Sequence, residues 1–205
     1  SEPDSAYTET APTDAGNYTV RVTLPESKNF TEASDTKDFT ISKATDNEWL
    51  TSPAVTDFTY GATVTSPVAY QAKYGNVVVT YKKQGTEDNP STDVPKDAGT
   101  YDVTVSLAET ASYPGLDDVK LTLTIAKAAS SVTKAPEDAK SLYNGGNVQL
   151  ITEVTANGGT MQYSLDGATW ADTDPKGKNA GDYTVYYKAK GDSSHSDSAV
   201  ANIQV

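Results

Sequence analysis

The single histidine is the first candidate for chemistry in this sequence. His195 lies between Asp192 and Asp197 in a run of serines, so a nucleophile, a base and an orienting carboxylate can be named within seven residues. Such a set is catalytic only when the base is held between its partners in a preorganised pocket. A polar loop offers no such pocket. We therefore interpret His195 as a partly buried loop anchor, and we predict no catalytic residue.

Two acidic clusters are candidates for calcium binding. Their members are Asp166, Asp172 and Asp174 in one cluster and Glu87, Asp88 and Asp93 in the other. Calcium takes six to eight converging oxygens, and the common twelve-residue loop pattern, with glycine at its sixth position and glutamate at its twelfth, is absent. The chain has no cysteine, which excludes thiolate metal sites and disulfides. We interpret both clusters as solvated turn residues and predict no metal or cofactor.

Tryptophan and tyrosine side chains are candidates for carbohydrate stacking. The chain has two tryptophans and 13 tyrosines. Trp49 follows a short polar linker, so packing at a domain junction explains it more simply. Trp170 follows the Asp166-Gly167 hairpin-turn signal, where a ring can lie at the end of a sandwich. Trp170 is therefore the predicted ligand-binding residue, with a glycan or host protein as its ligand.

A seven-residue motif occurs three times and defines the elements that must position these side chains. The motif is Asp/Asn-Ala-Gly-x-Tyr-x-Val, and its alanines, Ala15, Ala98 and Ala180, are spaced 83 and 82 residues apart. A period of that length indicates tandem domains rather than a solenoid. We predict a C-terminal half-repeat over 1–44 and complete repeats over 45–128 and 129–205, called below the first, second and third repeats.

The residue types of the motif favour a tight turn followed by a strand. Its Asp or Asn can close a turn onto nearby backbone, and its glycine can adopt positive φ. After the turn, Tyr101, Val103, Val105 and Leu107 alternate with polar residues, which predicts a half-buried strand. A tyrosine at this position resembles the tyrosine corner of immunoglobulin sandwiches. The predicted structural residues are Tyr18, Tyr101 and Tyr183 with Gly16, Gly99 and Gly181.

Short strands and frequent turns predict an all-β fold. No segment has helical periodicity over three turns, and turn signals recur every 8–12 residues, as in β-sandwiches. The predicted architecture is a series of Ig-like β-sandwich modules, with β-grasp-like repeats as the alternative. About 44 residues bury too little surface to fold alone. We therefore predict that residues 1–44 pack on the second repeat or form a strand-paired dimer with a second copy.

Charge and hydropathy exclude several partners. The formal net charge is −12, which argues against binding to nucleic acid or to anionic membrane surfaces. No apolar run approaches the roughly 20 residues that span a bilayer, so no membrane insertion is predicted for this fragment.

The chain resembles the Ig-like and MBG-type tandem repeats of large Gram-positive cell-surface proteins. The motifs that carry this resemblance are Asn47-Glu48-Trp49, Thr59-Tyr60-Gly61, Pro95-Lys96-Asp97-Ala98-Gly99-Thr100-Tyr101, Ile125-Ala126-Lys127-Ala128, Leu142-Tyr143-Asn144-Gly145 and Tyr186-Tyr187-Lys188. The resemblance implies an extracellular, cell-wall-linked location and a non-catalytic spacer or adhesin-stalk role. A binding module that uses loop aromatics is the alternative. Some stalk domains carry Lys–Asn isopeptide cross-links, but no spacing here marks such a pair.

Overall fold

The computed structural model describes residues 7–205, and these residues form an all-β protein. Nearly half of them lie in strands, and no helix is found among them, which confirms the predicted fold class. The strands are β1 (Gly16–Leu24), β2 (Ala33–Ile41), β3 (Trp49–Val55), β4 (Phe58–Thr59), β5 (Val68–Ala72), β6 (Val78–Lys83), β7 (Gly99–Leu107), β8 (Leu116–Ala126), β9 (Ala128–Ala129), β10 (Ser131–Lys134), β11 (Val148–Gln149), β12 (Thr155–Asn157), β13 (Gly159–Ser164), β14 (Lys176–Gly177), β15 (Thr184–Gly191), β16 (His195–Ser196) and β17 (Ala201–Gln204).

The strands assemble into several small, mainly antiparallel sheets. The largest has four strands in the order β4-β8-β7-β6, and the next has three in the order β13-β15-β17. Among the strands of residues 7–205, β1 pairs with β2 alone in a two-stranded hairpin, and β3 pairs with β5. Two short pairings are parallel, β4 with β8 and β9 with β16.

The chain divides into two compact units. One comprises the chain up to Ala54 together with Val68–Thr80 and Thr104–Leu121. The other comprises Val55–Pro67, Tyr81–Val103 and Thr122–Val205. Residues of the second repeat therefore contribute to both units, whereas the predicted repeat boundaries follow the sequence period.

In the second and third repeats, the strand that follows the motif turn buries the face that the alternation of apolar and polar residues predicts. Val103 and Val105 on β7 have no exposed surface, and neither has Val185 on β15. In the third repeat, Val185 packs with Leu150, Ile151 and Tyr163 in a buried cluster. The predicted half-buried strand is confirmed in these two repeats, because a side-chain period of two places every second residue on the core face.

The same prediction is wrong for the first repeat. Val22, which corresponds to Val105, is 70% exposed, and Val20 and Leu24 are also exposed. Among residues 7–205, no second layer covers this face of the hairpin. Alternation of Phe39 and Ile41 with polar residues predicts a closing strand that begins at 39, after a polar connection over 25–38. Instead Ala33–Ile41 forms β2 and pairs with β1 along its whole length.

The position of β6 also differs from the prediction. The apolar run at 77–79 predicts a central strand covered on both faces. Instead β6 is the last strand of its sheet, and Val78 is exposed. A short apolar run shows how hydrophobic a strand is but not how many neighbours it has.

Candidate functional site

A tyrosine corner closes each of the three motifs with the same hydrogen bond. The hydroxyls of Tyr18, Tyr101 and Tyr183 donate to the main-chain oxygens of Asp14, Asp97 and Asn179 at 2.8, 2.9 and 2.8 Å. The acceptor is the carbonyl of the fourth residue back, whereas the sequence suggested a turn closed by the Asp or Asn side chain. Because the acceptor is a main-chain oxygen, a residue of any type at that position could accept this hydrogen bond.

The glycines of the motif do not share one conformation. Gly99 and Gly181 have φ of 152° and 153°, inside the region that favours glycine. Gly16 has no positive φ, so the predicted conformation is wrong there. The hairpin of the first repeat thus keeps the hydroxyl bond of the corner but not the backbone geometry of the other two.

Removing the corner hydroxyl should destabilise the second repeat more than the first. Tyr101 is buried, so Tyr101→Phe leaves the Asp97 carbonyl without this donor and should cost about 1 kcal/mol. Tyr18→Phe is the matched control, because Tyr18 is only half-buried and water can replace its hydroxyl. Urea denaturation of both variants measures the difference, and equal losses would contradict a burial-dependent corner.

The first and second repeats are joined by hydrogen bonds to one loop of the second repeat. The main-chain amide of Ala44 donates to the oxygen of Ser112 at 2.8 Å. The side-chain amide of Asn47 donates to the oxygen of Pro114 at 2.7 Å. Lys43 forms an ion pair with Glu109 in the same loop. We call 109–114 and its counterpart 192–196 the junction loops.

The second and third repeats are joined by equivalent contacts. The amide of Ala128 donates to the oxygen of Ser194 at 3.0 Å, and the amide of Ser130 donates to the oxygen of Ser196 at 3.1 Å. The Lys127 ammonium donates to the main-chain oxygen of Asp192 at 2.8 Å. β9 and β16 form a parallel pair here. In both junction loops two carbonyls flank a ring, Tyr113 in one and His195 in the other. The first carbonyl accepts from the alanine of the preceding repeat, and the second accepts from Asn47 or Ser130 of the same repeat.

Each of these rings lies directly against a glycine. A Cβ at Gly75 would come within 2.5 Å of the Tyr113 ring, and a Cβ at Gly158 within 2.5 Å of the His195 ring. Both glycines have positive φ, 92° and 77°. The rings and glycines are separated by corresponding distances in the sequence, so this contact belongs to the repeat.

His195 is held on three sides at the junction. Its Nδ1 lies 2.8 Å from Oδ1 of Asp192, and its ring meets Tyr60 edge-on at 5.1 Å between centroids. The imidazole bond holds the pKa of the Asp192 carboxyl below its usual value, with main-chain donors adding to the effect. His195 is half-buried, as predicted for a loop anchor, and its contacts are those of a packing residue.

Trp170 lies on the third repeat and is half-buried. The Lys188 ammonium is 5.0 Å from the centre of the Trp170 ring and forms a 2.6 Å ion pair with Asp197. A pocket of about 390 Å³ is lined in part by Tyr163, Asp174 and Lys176, but Trp170 does not line it. Trp49 is half-buried in β3.

The acidic residues around this pocket are engaged within their own loop. Asp166 Oδ1 accepts the amides of Ala168 and Thr169 and the hydroxyl of Ser164. These bonds, the main-chain ones first, lower the pKa of Asp166 well below its usual value. Burial, followed by the nearby Asp174, raises the pKa of Tyr163 to about 12.

The two acidic clusters weighed as calcium-binding candidates do not form a metal site in the described part of the chain. Asp172 accepts a bond from Gln162, and Glu87, Asp88 and Asp93 are exposed. Within residues 7–205, no group of three or more histidine, aspartate or glutamate side chains could hold a metal ion.

Acid should destabilise the third repeat partly through Asp166. Because its folded pKa is lowered, its ionised form stabilises the fold above the unfolded pKa of about 3.9, and this contribution is lost as the pH falls below that value. Asp166→Asn should therefore be less stable than the parent chain at neutral pH, and the difference should shrink steadily as the pH falls below about 3.9 toward the lowered folded pKa. Thermal unfolding across this range tests it. Glu153→Gln, which removes an exposed 4.0 Å ion pair with Lys134, should follow the parent curve.

Comparison with known proteins adds no family. No protein-family model matches the chain, and no curated protein is significantly similar to it. No helix among residues 7–205 is long and apolar enough to cross a membrane.

Proposed function

We propose that the chain is a non-catalytic spacer, a set of Ig-like tandem repeats that forms part of a stalk in an extracellular, cell-wall-linked bacterial surface protein. The observation that carries this proposal is the reuse of one junction at both repeat boundaries. In each, the alanine of a Lys-Ala pair at the end of a closing strand donates its amide to a carbonyl of the junction loop of the next repeat, Ser112 in one and Ser194 in the other. The lysine of the pair binds the same loop.

The contacts of the junction suit a spacer because they limit motion between neighbouring repeats. The amides of a flexible linker would bond to solvent, whereas the amides of Ala44 and Ala128 donate hydrogen bonds to the following repeat. The parallel pairing of β9 with β16 adds main-chain bonds at the second junction. A net charge of −12 favours solubility and discourages association between copies.

The Ig-like architecture is part of the proposal. Its support is the three tyrosine corners, each followed by a strand in an antiparallel pair. A β-grasp repeat packs a helix on its sheet, and residues 7–205 contain no helix. The sandwich is therefore favoured over the alternative.

A distance distribution across the second junction tests the spacer. Because the chain has no cysteine, Thr122→Cys and Thr169→Cys give one label in each repeat, at exposed positions. We expect a narrow distribution of distances between spin labels at these sites. Ala128→Pro removes the donor to Ser194 and should broaden it, since proline has no amide hydrogen.

Ala128→Ser is the matched control, because it keeps the amide hydrogen at the same position. It should leave the distribution narrow. A broad distribution in the chain without junction changes would contradict the spacer proposal, because neighbouring repeats would then reorient freely.

A glycan- or protein-binding module is the second candidate, favoured by Trp170. Its half-buried ring and the nearby Lys188 ammonium combine an aromatic surface with a charged group, as small-ligand sites do. A screen against glycans and matrix proteins tests it, with Trp170→Ala and Trp170→Phe side by side. Saturable binding that Trp170→Ala abolishes and Trp170→Phe retains would support a stacking site. If the folded chain binds nothing in the screen, the binding module is contradicted and the spacer is the remaining proposal.

A further inference from the structure

Two Asn-Gly-Gly triplets occur in the third repeat, at 144–146 and at 157–159. An asparagine before glycine is prone to cyclise, because glycine has no Cβ to crowd its own nitrogen or to restrict the backbone rotation that ring closure needs. Both asparagines are exposed to solvent. Since the two triplets share their residues and their exposure, they differ mainly in how the fold holds them.

The first triplet lies in an open bend between strands. Gly145 has φ of 85°, and no heavy atom lies within 4 Å of a Cβ added there. Among residues 7–205, no group accepts a hydrogen bond from the Gly145 amide. Base can therefore reach the amide proton, and the nitrogen can move without breaking a main-chain bond.

The side chain of Asn144 is folded onto the main chain that follows it. Its Oδ1 accepts the amide of Gly146 at 2.9 Å, which closes a turn over the intervening Gly145. When the Gly145 nitrogen adds to Cγ of Asn144, negative charge develops on Oδ1. The Gly146 amide already points at that oxygen, so it stabilises the charge as it forms.

The second triplet is held on both sides of the reacting bond. Asn157 is the last residue of β12 and pairs with Ser131 of β10, and Gly159 is the first residue of β13. A Cβ at Gly158 would lie 2.5 Å from the His195 ring, so the main chain has no room on that side. Ring closure at Asn157 requires its backbone to leave the extended conformation of the strand, which would break the pairing with Ser131.

We propose that Asn144 is a site of spontaneous deamidation and that the fold protects Asn157 from the same reaction. Base removes the Gly145 amide proton, the nitrogen forms a bond to Cγ of Asn144, and Nδ2 takes up a proton and leaves as ammonia. The product is a five-membered cyclic imide. Water then adds to either imide carbonyl and opens the ring to aspartate or isoaspartate. The net reaction consumes one water, releases one ammonia and involves no oxidant.

The reaction changes the surface of the third repeat in two ways. It adds one negative charge to a net charge of −12. Isoaspartate also routes the main chain through the former side chain, which lengthens the backbone at the bend by one carbon. Leu142 and Tyr143, both exposed, directly precede the site. The modified residue therefore borders an exposed apolar part of the third repeat.

The test incubates the whole folded chain in mildly alkaline buffer and follows both asparagines by peptide mass spectrometry, with enzymatic methylation to count isoaspartate. Asn144 should react at least about tenfold faster than Asn157, because Asn157 reacts only after local opening of its strand. In guanidinium chloride the two should react at similar rates. Equal rates in the folded chain would overturn the proposal, and so would the absence of reaction at folded Asn144.

Two variants separate the causes. Asn144→Gln is the matched control, because it keeps the carboxamide but would have to close a six-membered ring; it should stop the reaction at 144 and leave that at 157 unchanged. His195→Ala removes the ring against Gly158 and should speed the reaction at Asn157. A rate difference that persists in guanidinium chloride would overturn the protective role of the fold, since the flanking residues would then set the rates.

Discussion

Val105→Ala is expected to lower the free energy of unfolding of the second repeat by about 2–3 kcal/mol. Val105 has no exposed surface, so truncation removes buried methyl groups and leaves a cavity that its neighbours can only partly fill. A domain of about 80 residues has a small stability margin, so this loss is a large part of the total. Urea denaturation followed by the signals of the second repeat measures it.

Val22→Ala is the matched control, because Val22 holds the same repeat position and is 70% exposed. Its truncation should change stability by less than about 0.5 kcal/mol. Equal losses at the two positions would show that the face of β1 is covered in solution, contrary to its exposure in the structure.

Gly158→Ala is expected to destabilise the second junction. The residue has φ of 77°, which costs an alanine about 1–2 kcal/mol, and the new Cβ would lie 2.5 Å from the His195 ring. Displacing that ring adds a packing cost, so we expect a total of about 2–4 kcal/mol. Thermal unfolding gives the loss, and amide exchange at Ala128 and Ser130 reports whether the junction opens.

Gly145→Ala separates the two causes. Gly145 has φ of 85° but no heavy atom within 4 Å of an added Cβ, so it carries only the conformational cost of about 1–2 kcal/mol. In a double-mutant cycle, His195→Ala should recover part of the loss at Gly158 and none at Gly145. Additive losses for Gly158 and His195 would contradict the ring contact.

The residues of each strand that share a face could be predicted from the sequence, because apolar and polar residues alternate along it. Val103, Val105 and Val185 are buried as expected. The three corner tyrosines could be predicted as well, since their spacing from the turn is constant. Their acceptor could not, because a main-chain oxygen is present at every residue and leaves no mark in the sequence.

The sequence pattern of a single strand could not show whether a second layer covers its apolar face. Val20 and Val22 have the same pattern as Val103 and Val105, yet they are exposed. Burial depends on a partner layer, and a strand pattern does not say whether that layer is present. The edge position of β6 was missed for the same reason.

Trp170 lies at the surface of the third repeat, but the junction was not predicted as a site. His195 and Tyr113 each lie 12 residues after their corner tyrosine, and Gly158 and Gly75 lie 25 and 26 residues before it. Matching both pairs would have indicated a conserved ring-on-glycine contact. The hydrogen bonds of Ala44 and Ala128 left no comparable signal, because their acceptors are main-chain atoms.

The use of main-chain acceptors at both junctions has a consequence for how such a chain can change in length. Asn47 reaches Pro114 with its side chain, whereas Ser130 reaches Ser196 with its backbone, so different residues fill the same joint. A duplicated repeat inserted between existing ones would meet the same carbonyls at both of its ends. Gene duplication or deletion of whole repeats can therefore lengthen or shorten the array without new joints having to evolve.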